Sequence, residues 1–355
     1  VAAFADDARK IYGVQFHPEV SQTQFGERIF GNFLRLASSY KRSSRINVRN
    51  LIAKAKMAIG KERALIALSG GVDSSVAAVL VARAVGRRLL AVYVDTGLMR
   101  SGETKQIQKT FRRFPFRLRT IFAQSRFYRA LRGVTDPEDK RRRIGKLFIK
   151  IFEEEARRFR ASVLVQGTIY SDRIESGSTK YSSRIKSHHN VGGLPKSLKI
   201  RLYEPLAEFY KDEVRRISTR LGLPAEINQR KVFPGPGLAI RIIGEVKPEK
   251  VRIVREADMI IQEELQHSKY FKKIWMTFPI LLSIKSVGIQ GDERSYKYPI
   301  VLRILESQDA MTARAAEIPF AILQRISTRI TNEIEEVNRV LYDLTSKPPA
   351  TMEWE

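Results

Sequence analysis

The chain has 355 residues, 43% of them apolar, and 64 lysines and arginines stand against 38 aspartates and glutamates, a formal charge of +26. The length suggests two domains with an extra piece, and the charge favours phosphate-bearing ligands, although the basic residues are dispersed apart from a short run at Lys140–Arg143, so nucleic acid is not the expected partner. The absence of cysteine excludes disulfides, thiolate–metal sites and a cysteine nucleophile in this chain. No apolar run suits a membrane span and no signal-peptide core follows Val1, so a cytoplasmic location is expected; the missing initial methionine suggests a processed chain or a fragment.

Residues 11–34 read as a strand, a turn and a helix. Ile11, Gly13 and Gln15 alternate with Tyr12, Val14 and Phe16, and Ile29, Phe30, Phe33 and Leu34 recur at helical spacing. Residues 37–45, rich in serine and basic side chains, read as a linker. From Ile46 onward strand–helix units repeat. Apolar runs at 64–68, 89–94 and 163–165 end respectively in Ser69-Gly70-Gly71, Asp95-Thr96-Gly97 and Gln166-Gly167-Thr168. This alternation argues an α/β fold with a doubly wound, mostly parallel sheet, whose ligands bind at the carboxyl ends of the strands. Residues 124–160 read as charged helix, and residues 170–194 as a long loop rich in Ser, Gly and Lys. A smaller α+β domain is expected from Phe233-Pro-Gly-Pro-Gly, with strands at 238–243, 277–284 and 299–305 and helices at 249–265 and 319–337.

Ser69-Gly70-Gly71-Val72-Asp73-Ser74-Ser75 carries the most chemistry. It follows a short apolar strand and opens a helix, so glycine backbone, helix N-terminus and serine hydroxyls can converge on an anion. No Gly-Lys-Ser/Thr follows, which excludes a Walker A loop. The stretch resembles the PP-loop of the ATP-pyrophosphatase family, adenine nucleotide α-hydrolase-like proteins that cut ATP between the α and β phosphates. That resemblance implies ATP at Ser69–Ser75 and Mg²⁺ on Asp73, since Mg²⁺ favours carboxylate and phosphate oxygens. Val94, just before Asp95-Thr96-Gly97, is a candidate ATP contact bordering an adenosine pocket, with a helix cap as the alternative at Thr96.

Further motifs narrow the family. Lys186-Ser187-His188-His189-Asn190-Val191-Gly192-Gly193, Phe233-Pro234-Gly235-Pro236-Gly237-Leu238, Gly288-Ile289-Gln290-Gly291-Asp292 and Lys347-Pro348-Pro349-Ala350-Thr351-Met352-Glu353-Trp354-Glu355 closely resemble the GMP synthases, in collinear order. The resemblance implies adenylation of the 2-oxygen of xanthosine monophosphate by ATP, then displacement of AMP by ammonia. It assigns Asp172 and Glu175 to Mg²⁺ binding or adenylation, and Lys186, His188 and His189 to a lid. It assigns Arg141, Gln290, Lys347, Thr351 and Glu353 to the substrate nucleotide. Read without it, Asp172 is equally a loop cap, Arg141 part of a solvated face and the tail a packed strand end. The Arg-His pair expected before the Phe-Pro-Gly-Pro-Gly turn is here Arg230-Lys231.

Tyr12-Gly13-Val14-Gln15-Phe16-His17-Pro18-Glu19 resembles the end of a class I glutamine amidotransferase domain, with His17 and Glu19 as the triad's remaining members. Without cysteine the chain alone has no glutaminase chemistry, so the ammonia is expected from solution, a separate glutaminase subunit or a missing N-terminal domain. The expected organisation is an amidotransferase remnant at 1–36, a linker at 37–45, a PP-loop domain at 46–230 and a dimerisation domain at 231–355, as a homodimer. The alternatives are a PP-loop tRNA-modifying enzyme, favoured only by the charge, and a silent nucleic-acid-binding derivative.

Overall fold

The computed structural model describes residues 2–18, 23–37, 46–172, 200–231, 233–290, 292–307 and 312–355. The chain divides into two units, Val1–Ile46 and Asn47–Glu355. In the first, β1 (Ala3–Asp6) and β2 (Ile11–Val14) form an antiparallel hairpin, and α1 (Gly26–Ala37) follows. Phe33 of α1 meets Tyr12 edge-on, but Phe4, Ile11, Phe30 and Leu36 stay exposed, because so short a piece has too little surface to bury them.

The second unit opens with α2 (Val48–Ile59), capped by the Asn47 side chain, and β3 (Ala64–Ala67). Then come α3 (Val72–Val85), β4 (Leu89–Asp95), α4 (Glu103–Phe111), β5 (Arg117–Phe122), α5 (Gln124–Leu131), α6 (Pro137–Phe159), β6 (Val163–Val165) and β7 (Arg201–Tyr203). The strands pair in the order β5-β4-β3-β6-β7, all parallel. This is the expected doubly wound sheet. β4 is buried throughout, and α3 is apolar nearly all round, as a helix covered on every side must be. Its small residues Ala77, Ala78 and Ala82 let its neighbours approach closely. The charged stretch 124–160 is helical as expected; Asp136 caps α6 and Pro137 opens it.

After α7 (Lys211–Arg220) and α8 (Ala225–Gln229) come α9 (Pro248–Gln266), β8 (Met276–Leu281), β9 (Ser286–Gln290), β10 (Glu293–Glu306), β11 (Arg314–Ala315), α10 (Phe320–Glu333) and β12 (Val337–Tyr342). β10 is the hub of this mixed sheet: β8, β9 and β11 run antiparallel to it and β12 parallel. Two expectations are corrected. Residues 237–241 form a 3-10 turn rather than a strand, because Gly237 takes φ +66 and the Leu238 N–H donates to the Leu98 carbonyl at 2.7 Å. The helix begun after Pro319 stops at Glu333, and Val337 starts a strand, since its apolar residues find a partner edge on β10. One apolar core runs from Leu65, Leu90 and Val92 through α9 to Ile300, Leu302, Ile326 and Ile330.

Candidate active site

Strand order reverses between β3 and β6, so the loops leaving these strands diverge and open a crevice at their carboxyl ends. Ser69–Ser75 leaves β3 at this point. Gly70 adopts φ +76, and a Cβ there would run into Arg230 Nη1 and come within 2.6 Å of Ile107 Cδ1. Gly71 is the N-cap of α3 and contributes no side-chain cap, which leaves the first-turn N–H groups aimed at the crevice. Gly167, leaving β6, packs on the same turn: a Cβ would lie 2.9 Å from Asp73 C and Ser74 N. The expected phosphate loop thus has both the backbone conformation and the position that anion binding needs.

Its side chains divide in function. Ser69 and Ser74 share a hydrogen bond between hydroxyls at 2.9 Å, which orients both at the loop mouth. Ser75 is fully buried and donates its hydroxyl to the Gly71 carbonyl at 2.7 Å, so it shapes the loop from within. Val72 is buried and leaves only main chain to a ligand. Asp73 Oδ2 accepts from Lys211 Nζ, at the start of α7, while Oδ1 is buried with no hydrogen-bond partner among the described residues. A second cation, Arg230, pairs with Glu103 of α4. Lys211 carries no mark in the sequence, where one basic residue in a charged helix looks like many others, and Arg230 stands there only as the first member of the pair before the turn, with no role assigned to it.

The Val94 side chain belongs to the hydrophobic core, so only its main chain remains for a nucleotide. Asp95 accepts from the Gly97 N–H at 2.9 Å and the Thr104 hydroxyl at 2.8 Å, and Thr96 Oγ1 accepts from the Leu98 N–H at 3.1 Å. These residues make a braced turn. Asp172 is exposed, and its Oδ2 accepts from the Ile169 N–H at 3.1 Å, the capping role that the sequence left open. Glu175, Lys186, His188 and His189 lie outside the described residues, as does Glu19; His17, which follows β2, accepts at its carbonyl from Thr23. Among the described residues no cluster of three His, Cys, Asp or Glu could hold a metal ion. Nor is any described helix long and apolar enough to cross a membrane.

The tail residues gather elsewhere. Arg141 donates to Glu138 and to the main-chain oxygen of Glu355, while Lys140, fully buried, donates to Glu355 and to the Ile242 carbonyl at 2.7 Å. Burial pushes the Lys140 amine below its ordinary value and the Glu355 carboxyl above its own, each opposed by the other's charge. Among the described residues neither carboxylate oxygen of Glu353 accepts a hydrogen bond; its ion-pair partner Arg241 is 3.5 Å away, fully buried between the rings of Phe233 and Phe278. Arg241 also lies 3.9 Å from Asp258, which pairs with Arg100 at 2.9 Å. This line of charges joins the turn after β4 to the tail. The Thr351 hydroxyl donates to the Glu353 carbonyl, and Lys347 bridges through its main chain to Ala313. Gln290 ends β9; its side chain is outside the described set. Lys231 is turned away from the crevice, its amine donating to the carbonyls of Phe271 and Ile274.

Comparison with known proteins agrees with this layout. The family model described as "GMP synthase C terminal domain" matches residues 263–354, and "Glutamine amidotransferase class-I" matches residues 1–37. A GMP synthase [glutamine-hydrolyzing] of Symbiobacterium thermophilum is 51% identical over all of this chain and 70% of its own length. That of Thermotoga maritima is 50% identical over all of this chain and 72% of its own, and that of Halothermothrix orenii 52% over all of this chain and 70% of its own. A solved structure of NMN synthetase from Francisella tularensis covers 54% of this chain and 78% of its own, with a TM-score of 0.42 at 16% identity, too distant to carry an argument. With half its residues identical to these relatives along its whole length, and with the phosphate loop at the switch point of a parallel sheet, this chain belongs to the GMP synthase family.

Proposed function

We propose that the chain makes GMP from xanthosine monophosphate, ATP and ammonia. The observation that carries the reading, beside the family membership, is the open loop Ser69–Ser75 with a buried, unpartnered oxygen on Asp73. In the first step the purine 2-oxygen attacks the α-phosphorus of ATP and the bond to the β-phosphate oxygen breaks. The electron pair leaves with pyrophosphate, which the glycine backbone, the helix N-terminus and the serine hydroxyls hold. In the second step ammonia attacks C2, AMP departs with the former 2-oxygen, and loss of a proton leaves the 2-amino group of GMP. A purine carbonyl oxygen is a poor leaving group, and adenylation makes it a good one.

Asp73 fits Mg²⁺, because that ion takes one or two carboxylates plus phosphate oxygens rather than an all-protein cage. Bound there, Mg²⁺ would neutralise phosphate charge. Asp172 and Glu175 are candidates for the same ion or for assisting adenylation, and Lys186, His188 and His189 for a lid that excludes water. Arg141, Gln290, Lys347, Thr351 and Glu353 are assigned to the substrate nucleotide; the carboxylate of Glu353, held 3.5 Å from Arg241, has acceptor capacity that suits donors on a purine or ribose. The exposed Ile284, Val287, Ile289 and Tyr296 around β9 and the start of β10 support a homodimer through residues 231–355. Ammonia comes from solution, a separate glutaminase or a domain absent from this chain, since no cysteine is present.

The test is pyrophosphate release from Mg-ATP in ammonium buffer, with and without xanthosine monophosphate, with GMP assayed alongside. Release that requires the nucleotide, matched by GMP, is expected. Folded protein that releases none would overturn the reading.

A further inference from the structure

We propose that Arg230 is the cation that receives the charge of the departing pyrophosphate, and that Glu103 is its positioning residue. The proposal rests on the ATP-pyrophosphatase reading above. Arg230 does not belong to the phosphate loop in sequence; it arrives more than 150 residues later, between α8 and the Phe233-Pro-Gly-Pro-Gly turn. Its guanidinium nevertheless lies against the loop's left-handed glycine, so closely that any side chain at Gly70 would collide with Nη1.

The two ends of the guanidinium fork face different ways. Nη2 is engaged by Glu103 Oε1, whereas Nη1, the end at Gly70, has no hydrogen-bond partner among the described residues. Glu103 is 95% buried, and its other oxygen has no hydrogen-bond partner among the described residues. Arg230 is thus the single cation paired with this desolvated carboxylate among the described residues. A buried carboxylate with one partner fixes the plane of that partner's fork, which is the arrangement that delivers a planar donor to a phosphate. The backbone is pinned as well, because the next residue, Lys231, anchors its amine to the carbonyls of Phe271 and Ile274. As the α–β phosphate bond breaks, the electron pair passes to the β-phosphate oxygen, and negative charge grows beside Gly70. Arg230 meets it as a planar cation already held in place.

A purely structural role, tying α4 to the segment before the turn, would cost stability on removal and leave phosphate affinity alone. The experiment therefore measures inorganic pyrophosphate binding by calorimetry on the full chain, with kcat, KM and thermal melting in parallel, for wild type, Arg230→Met, Arg230→Lys and Glu103→Gln. Arg230→Met is expected to weaken pyrophosphate binding about 10-fold and to lower kcat about 100-fold, with KM for the purine nucleotide little changed. Arg230→Lys should recover part of kcat, and Glu103→Gln should fall between it and wild type, since the fork keeps its charge but loses its aim. Folded Arg230→Met that binds pyrophosphate as wild type does would overturn the proposal. If that variant does not fold, Arg230→Lys decides: unchanged pyrophosphate affinity and kcat overturn it, while about a fivefold loss in affinity with a lower kcat supports it. Wild type that binds pyrophosphate but releases none from ATP counts against the reaction and leaves Arg230 to be judged on affinity. Wild type that binds none overturns both.

Discussion

At the phosphate loop Gly71 puts no side-chain cap on the first turn of α3 and Asp73 Oδ1 has no hydrogen-bond partner among the described residues, whereas around Arg303 in β10 the charges are spent on the protein itself. Arg303, fully buried, donates to Asp343 at 2.5 Å and to the carbonyls of Thr345 at 3.1 Å, Thr351 at 2.6 Å and Met352 at 3.2 Å. Trp354 closes the cluster on Asp343 at 2.7 Å. One region stores binding capacity, the other holds the tail that carries Thr351 and Glu353. Buried charge thus serves two ends in one fold: unpaired donors at a strand's carboxyl end wait for a ligand, and paired ones fix the chain.

The sharpest way to break the contrast is at Asp73. Asp73→Asn should lower pyrophosphate release about 100- to 1,000-fold while melting shifts little, because the Lys211 pair it loses is partly exposed. Activity within tenfold of wild type would remove Asp73 from the metal-facing position. Arg303→Met should do the opposite. It leaves Asp343 without its cation and three main-chain carbonyls without their donor, so urea unfolding should show a loss of about 3–5 kcal/mol, with pyrophosphate affinity at the loop nearly unchanged. Equal stability would mean that the tail is held by something else. Gly167→Ala pushes on the first turn of α3 across a 2.9 Å approach, and about a 10-fold fall in kcat/KM with a small melting shift is expected.

The smallest effect is in acid. Burial raises the Asp343 carboxyl, but the Thr345 N–H, the Trp354 indole and Arg303 outweigh it and hold the group below its ordinary value. A carboxyl held low contributes stability that is full above its unfolded value and fades as pH falls through its folded one. Stability should therefore drop from about pH 4 downward, and Asp343→Asn should flatten that part of the curve in urea titrations at stepped pH. An unchanged slope would place the acid sensitivity in other carboxylates.

Much of the parallel sheet was legible because its signals are local. The apolar runs at 64–68, 89–94 and 163–165 end in small polar residues, and the structure places strands on each, with loops at their carboxyl ends. The helical character of 124–160 was legible, but not its division into α5 and α6, where Asp136 caps the second helix and Pro137 opens it. The 237–241 turn was misread as a strand because its apolar residues are real, but their burial comes from contact with Leu98 and α9 rather than from pairing. At the candidate site the strand–loop–helix unit around Ser69–Ser75 was legible, but not which of its two glycines takes positive φ. The meetings of Lys211 with Asp73 and of Arg230 with Glu103 were not legible, since nothing local tells which residues, 138 and 127 positions apart, will close on each other.

The sequence by itself determined the strand–loop–helix unit of Ser69–Ser75 and the alternation that makes the sheet parallel, because glycine and apolar periodicity act over a few residues, and the resemblance of its collinear motifs gave the family. Only the tertiary structure decided which charges meet: that Lys211 covers Asp73, that Arg230 lies on Gly70, and that Arg241 stands between two rings facing Glu353. Those meetings follow from strand order and from one shared core, and electrostatic partners chosen through space leave no mark on the spacing of residues along the chain.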